Sequence, residues 1–84
     1  SNGDLVQEAT SLNQDGFLDQ VMMANRKNQD RINALYVASL SRWPSSIELR
    51  YANQLLLARQ GRVKEALQDI WWALLNSNEF ILNH

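Results

Sequence analysis

Catalysis, metal binding or phosphate binding in this chain would depend on histidine, paired carboxylates or a glycine-rich loop. The only histidine, His84, is the last residue, where fraying is expected, so neither a catalytic triad nor a metal site is predicted there. Glu65 and Asp69 stand four residues apart, but no third ligand lies nearby, which indicates a solvated face. The glycines are isolated and form no phosphate loop. We therefore predict no enzyme activity, no catalytic residue, no cofactor and no metal.

Composition narrows the classes of partner. The 84 residues include no cysteine, which excludes disulfides, thiolate metal sites and the Cys-x-x-Cys-His attachment of haem. A formal net charge of −1 with mixed signs offers no broad field for nucleic acid or an acidic membrane surface. The apolar runs are too short to span a bilayer. The predicted partner is therefore a separate protein, or another domain of a larger protein that contains this chain, with no nucleic acid and no membrane insertion.

A helix-turn-helix is the nucleic-acid alternative. Two helices joined across Arg42 to Pro44 would place Arg50, Asn53 and Gln54 on a recognition helix. The start of that helix carries Glu48 and the domain is not basic, so nucleic-acid binding is the least favoured function.

The length suits one small domain. Ser1-Asn2-Gly3 resembles a remnant of tag removal, and the chain lacks an initiating Met. We expect residues 4–84 to be a single helical domain excised from a larger protein.

One amphipathic stretch, from Arg62 to Asn76, organises the predicted fold. Its apolar side chains fall within roughly a 100° arc of the helical wheel. They are Val63, Leu67, Ile70, Trp71 and Leu74. Trp72 points about 140° away from Leu67, among polar residues. Either another element covers Trp72, such as the Phe80 to Leu82 segment or the N-terminal helix, or its indole anchors a protein partner.

The N-terminal part of the chain is predicted to form two helices. A short helix runs from Asp4 to Leu12, and Asn13 to Gly16 then breaks the apolar pattern. A second stripe begins at Phe17 and fades at Asn25.

The next helix begins after a polar stretch and ends near a proline. Asn28 or Asp30 is expected to cap its start. It does not pass Trp43, because Pro44 disfavours the helical conformation of the residue before it.

Two further start signals complete the pattern. Ser45 to Glu48 matches a capping box, and the helix that it starts ends at Gly61, which is free to adopt a left-handed conformation. Ser77 is expected to cap a final turn. With no strand pattern, the predicted fold is all-α: a small antiparallel bundle of about four helices with a short C-terminal turn.

The helix after the capping box has two apolar sides. One side comprises Ile47, Tyr51, Leu55 and Ala58, and the nearly opposite side comprises Leu49, Ala52 and Leu56. The helix is either sandwiched between layers, which its small domain favours, or presents one side to a partner. The residues expected on any partner surface are Trp43, Leu49, Leu56 and Trp72.

Three segments carry a resemblance to a known family. They are Arg31 to Tyr36, Leu40 to Pro44 with Glu48, and Trp72 to Phe80. Together they resemble the C-terminal end of a planctomycete-specific domain of unknown function, found in very large proteins that often carry cytochrome-c-like haem modules. Trp43 departs from that family, whose residue at this place is small or polar. A more distant likeness is to a helical repeat of bacterial surface proteins and phycobilisome linkers, whose Leu-Gly-Arg is Leu-Ser-Arg here.

The resemblance implies a context but no catalytic residue. It implies an extracytoplasmic or envelope location and haem modules elsewhere in the parent. The predicted function is a non-catalytic structural or protein-interaction module at the C-terminus of a larger planctomycete-type protein. The alternative is an accessory part of a redox protein or enzyme whose active site lies elsewhere in the parent.

A structural role is predicted for two motif residues. Arg42 leaves one helix as Glu79 begins another turn, so the two meet if the long helices pack antiparallel. We predict an Arg42–Glu79 ion pair, or a bond from Arg42 to C-terminal carbonyls, that joins the ends of the bundle.

Overall fold

The predicted helical bundle is confirmed in a computed structural model that describes the backbone of residues 14–83 and the side chains of residues 14–80. Residues 14–24 are helical and are named α1. The later helices are α2 (Asn28–Leu40), α3 (Ser46–Ala58), α4 (Val63–Leu75) and α5 (Asn78–Asn83). No strand occurs in this part of the chain. The predicted Asp4 to Leu12 helix, the Ser1-Asn2-Gly3 remnant and His84 lie outside the described residues.

The predicted break before α1 is wrong for residues 14–16, which are helical. Gly16 lies on an open face with no atom within 4 Å of the place where a Cβ would stand, so it costs the helix only its weak propensity, about 1 kcal/mol. Contacts with α4 hold this first turn in place. Asp15 accepts a hydrogen bond from Gln68 at 3.2 Å, and Asp19 lies 3.0 Å from the ammonium of Lys64.

The start of α2 also differs from its prediction. Lys27 is the N-cap residue and its side chain makes no capping hydrogen bond, so neither Asn28 nor Asp30 has that role. Arg31 joins the two helices instead. Its Nε donates to the carbonyl of Asn25 at 2.7 Å, and its Nη2 donates to the carbonyl of Met22 at 3.0 Å. An arginine thereby satisfies carbonyls at the end of α1 that the helix leaves free.

The turns around α3 follow the sequence signals. Ser45 and Glu48 form the predicted capping box. After Ala58 the chain reverses through Gln60 (φ 55°) and Gly61 (φ 84°), so the predicted left-handed glycine is confirmed.

The predicted stripe of α4 lies at the centre of the core. Leu67, Ile70 and Leu74 are buried, and Val63 and Trp71 are partly buried against them. α4 packs against α2, α3 and α5. Phe17 of α1 contacts Trp71, with ring centres 4.8 Å apart.

Candidate interaction surfaces and the Arg42 junction

The end of α2 directs Arg42 toward two other helices. Ser41 adopts left-handed backbone angles (φ 57°, ψ 31°), and its N–H donates to the carbonyl of Val37 at 3.1 Å, which closes the helix. Few residues other than glycine adopt this conformation. Because the chain turns at Ser41, the guanidinium of Arg42 lies between Glu48 in the first turn of α3 and Glu79 in the first turn of α5.

Arg42 uses all five of its N–H donors. Nε and Nη2 donate to the two oxygens of Glu79 at 2.8 and 3.0 Å, and Nη1 and Nη2 donate to the two oxygens of Glu48 at 2.8 and 2.9 Å. Nη1 also donates to the carbonyl of Trp43 at 3.0 Å, and the guanidinium carbon lies 5.8 Å from the ring centre of Tyr36. The predicted Arg42–Glu79 pair is present. Glu48 is an additional, unpredicted partner, and we call the three charged residues the Arg42 junction.

The junction holds its groups in the charged state. Hydrogen bonds from Arg42 first, and then from the backbone of Ser45, lower the pKa of Glu48 from 4.5 to about 2. Hydrogen bonds from the same guanidinium lower the pKa of Glu79, and hydrogen bonds to the two carboxylates raise the pKa of Arg42. Burial raises the pKa of Tyr36, and the charge of Glu48 adds to that shift. Arg42, Glu48 and Glu79, the three residues of the Arg42 junction, are therefore ionised at neutral pH.

Acid is expected to weaken the junction through Glu48. A carboxyl whose folded-state pKa is about 2 stabilises the fold fully above its ordinary pKa of 4.5 and loses that contribution as the pH falls toward 2. In urea unfolding at about pH 6, pH 4 and pH 2.5, we expect Glu48→Gln to be less stable than the native chain at the highest pH and the difference to shrink in acid. A difference that is constant over this range would contradict the assigned role.

The cap of α5 lies next to this junction, because Glu79 follows Ser77 by two residues. Ser77 Oγ accepts from the N–H of Phe80 at 3.1 Å and donates to the carbonyl of Leu74 at 2.8 Å, so Ser77 caps α5 as predicted. Phe80 then packs against the core. Arg42, Glu48 and Glu79 thereby join the end of α2 to the starts of α3 and α5.

The outer face of α3 is apolar and exposed. Ile47 is 58% exposed, Tyr51 is 62% exposed and Leu55 is 36% exposed. The sandwiched arrangement is therefore wrong. Leu49 and Leu56, predicted as partner-surface residues, lie on the opposite side: Leu56 is buried and Leu49 is partly buried against the core. That side of α3 faces α2 and α4, so the exposed side is the one with Tyr51.

Trp72 extends the exposed face of α3 onto α4. Arg59, after α3, reaches Asp69 in the middle of α4 at 2.8 Å, whereas Glu48 at the start of α3 shares Arg42 with Glu79 beyond α4, so the two helices are antiparallel. Leu55 lies one turn before Arg59, and Trp72 lies one turn after Asp69. Both therefore stand on the same side of the helix pair.

Trp72 is 44% exposed, so no element covers it fully, and Phe80 packs against the core instead. We call Ile47, Tyr51, Leu55 and Trp72 the α3–α4 apolar strip.

Trp43, the other predicted partner residue, lies elsewhere. It is 69% exposed and borders an open groove of about 340 Å³ along α2. The groove is lined by Asn25, Asp30, Asn33, Ala34, Val37 and Trp43, and we call it the Trp43 groove. Trp43 and Trp72 were both predicted as partner-surface residues, but the structure places them at two different surfaces.

The residues considered for metal binding or nucleic-acid binding lie in ion pairs or on an exposed helix face. Glu65 and Asp69 both pair with Arg59, so this carboxylate pair is part of an ion network. Within the described residues, no three His, Cys, Asp or Glu side chains come together to hold a metal ion. No helix in that part of the chain has the length and apolar character needed to cross a membrane. Arg50 and Gln54 are exposed on α3 next to the apolar strip.

Comparison with known proteins adds no relative. The chain matches no family model, no curated protein and no solved structure.

Proposed function

We propose that this chain is a non-catalytic helical module that binds another protein segment through the α3–α4 apolar strip. The observation that carries the proposal is the exposure of three large apolar side chains at successive turns of one helix face, continued by Trp72 on the neighbouring helix. Contiguous exposed apolar surface on a soluble domain marks an interaction site more often than scattered single residues do.

The spacing of the strip favours a helical partner. Ile47, Tyr51 and Leu55 recur every four residues, which is the ridge that packs into the groove of a second helix. Met23 is 86% exposed and Leu57 is 78% exposed, but each lies apart from this ridge, as isolated surface residues commonly do.

Charge at the edge of the strip favours an acidic partner. Arg50 lies three residues after Ile47, on the neighbouring part of the helix surface. It makes no ion pair within the described residues, whereas Arg42 and Arg59 are both engaged with carboxylates. A second copy of this chain placed antiparallel on the strip would bring two Arg50 side chains together. We therefore propose an amphipathic helix with a carboxylate near Arg50, supplied by another domain of the parent protein.

We also propose that the chain belongs to the planctomycete-specific family that it resembles. What supports this is that three of the resembling residues, Arg42, Glu48 and Glu79, meet at one structural joint. The redox-accessory alternative stays a prediction, and Cys-x-x-Cys-His motifs elsewhere in the parent would favour it.

The test is an NMR titration of the isotope-labelled domain with the remainder of its parent protein. Backbone shifts are expected at Ile47, Tyr51 and Leu55, with a shift of the Trp72 indole. Tyr51→Ser is expected to weaken binding by about tenfold or more, because truncating an anchor at the centre of an interface costs about 2 kcal/mol and tenfold corresponds to about 1.4 kcal/mol. Tyr51 is exposed, so the melting temperature of the variant should change little.

Leu57→Ser is the matched control. It removes an exposed apolar side chain from the same helix outside the strip and should leave the affinity unchanged. Shifts that avoid the strip, or no shifts at near-millimolar concentration, would refute docking on this surface.

A further inference from the structure

The Trp43 groove is a second candidate site, separate from the proposed docking strip. It runs along one side of α2, where Asp30, Ala34 and Val37 lie at successive turns. From Asp30 to Val37 the helix rises about 10 Å, at 1.5 Å per residue. Trp43, which follows the end of α2, closes the far end of this length. The groove is thus long enough to take an extended side chain rather than a single ion.

The two ends of the groove differ in chemistry. Asp30 provides a carboxylate, and Asn25 and Asn33 provide amide groups, all near the start of α2. Asn25 Nδ2 donates to the carbonyl of Val21 at 2.9 Å, which leaves its amide oxygen as the acceptor. At the other end, Val37 and Trp43 present apolar surface and are 45% and 69% exposed.

Among the described residues that line the groove, Asp30 is the only charged one. It has no ion-pair or hydrogen-bond partner for its carboxylate within the described residues, although Arg26 and Lys27 precede it in the sequence. The nearby Arg31 is engaged with Asn25, Asn28 and Met22. A carboxylate at one end and an indole at the other define the charge and the length of a complementary ligand.

We propose that the Trp43 groove binds the lysine side chain of a protein segment. The methylenes lie along Val37, Ala34 and the Trp43 ring, and the ammonium meets the Asp30 carboxylate with the amide oxygens beside it. Long cationic side chains pack in this way, with the stem on apolar surface and the head group in water. The groove is near the lower end of the volumes typical of ligand sites.

The site is open to solvent, so its affinity for a single side chain is weak. A solvent-exposed ion pair contributes little, and burial of a four-carbon stem adds the rest. We expect a Kd on the order of 1 to 10 mM for an isolated lysine derivative. Such a contact gains strength only as part of a larger interface, where effective concentration replaces bulk concentration.

The experiment uses three small probes on the labelled full chain: the N-acetyl methylamides of lysine, norleucine and arginine. Norleucine keeps the apolar stem and lacks the cation. Lysine is expected to shift the Trp43 indole and the side-chain amides of Asn25 and Asn33 in a saturable way, with the Trp72 indole unmoved. Asp30→Asn is expected to weaken lysine binding about threefold, the effect of an exposed ion pair.

Asp15→Asn is the control, because it removes an exposed carboxylate from α1, outside the groove. It should leave the lysine titration unchanged. Saturable shifts with lysine or with arginine support a cation site and distinguish the two head groups. Equal binding of norleucine and lysine, an unaltered titration in Asp30→Asn, or no shift of Trp43 at about ten times the expected Kd would each overturn the proposal.

Discussion

Replacing Arg42 with alanine is expected to lower the melting temperature of this domain by about 8 °C or more. The substitution removes five hydrogen bonds and leaves Glu48 and Glu79 facing each other without the cation between them. The side chain of Arg42 is 38% exposed, so solvent screening reduces the effect to about 2 kcal/mol of unfolding free energy. For a domain of this size, each kcal/mol shifts the melting temperature by about 4 to 8 °C.

Arg50→Ala is the matched control, since it removes an exposed arginine that makes no ion pair within the described residues. It should leave the melting temperature nearly unchanged when both variants are followed by circular dichroism. Arg42→Lys should recover only part of the loss, because an ammonium lacks the fork that binds two carboxylates in pairs. An Arg42→Ala variant that melts with the native chain would refute the junction as a stabilising joint.

The sequence predicted the elements whose signals are local. The capping box at Ser45 and Glu48 and the left-handed turn at Gly61 each depend on a few adjacent residues, and both are present. The first turn of α1 was missed because Gly16 reads as a helix breaker, whereas tertiary contacts of Asp15 and Asp19 with α4 hold it helical. The start of α2 was also predicted incorrectly because a tertiary contact is involved. Arg31, inside α2, donates hydrogen bonds to carbonyls at the end of α1.

The candidate sites were less accessible to sequence reasoning. The Arg42–Glu79 pair was predicted from the positions of two helix ends. Glu48 was predicted only as part of the capping box, and its ion pair with Arg42 was not predicted. The capping box could have predicted this contact, because it fixes the Glu48 carboxylate at the start of α3, close to Arg42. The Trp43 groove combines residues before, within and after α2, which no spacing rule connects.

The choice between the two sides of α3 could not be made from periodicity. Both sides are apolar, and which one is buried depends on how α2 and α4 approach the helix. Ala52 lies on the buried side and is 3% exposed. The large residues Ile47, Tyr51 and Leu55 remain on the outside.

Leu56→Ala is expected to destabilise the domain by about 3 kcal/mol, because Leu56 is 9% exposed and its loss leaves a cavity in the core. The next residue, Leu57, is 78% exposed, and Leu57→Ala should change the free energy of unfolding by no more than about 0.5 kcal/mol. Alanine is the strongest helix former, so neither change weakens α3 through propensity. Urea unfolding of the two variants measures the difference directly.

Leu55→Ala completes a series over three consecutive leucines and separates folding from binding. Leu55 is 36% exposed in the apolar strip, so its truncation should cost less stability than that of Leu56. It should nevertheless weaken binding of the proposed helical partner, which Leu57→Ala should not do. The three residues share one chemistry and one helix and differ only in the direction of the side chain. If Leu55→Ala destabilised the fold more than Leu56→Ala, the two sides of α3 would be reversed and the docking surface would have to be sought on the side of Leu49.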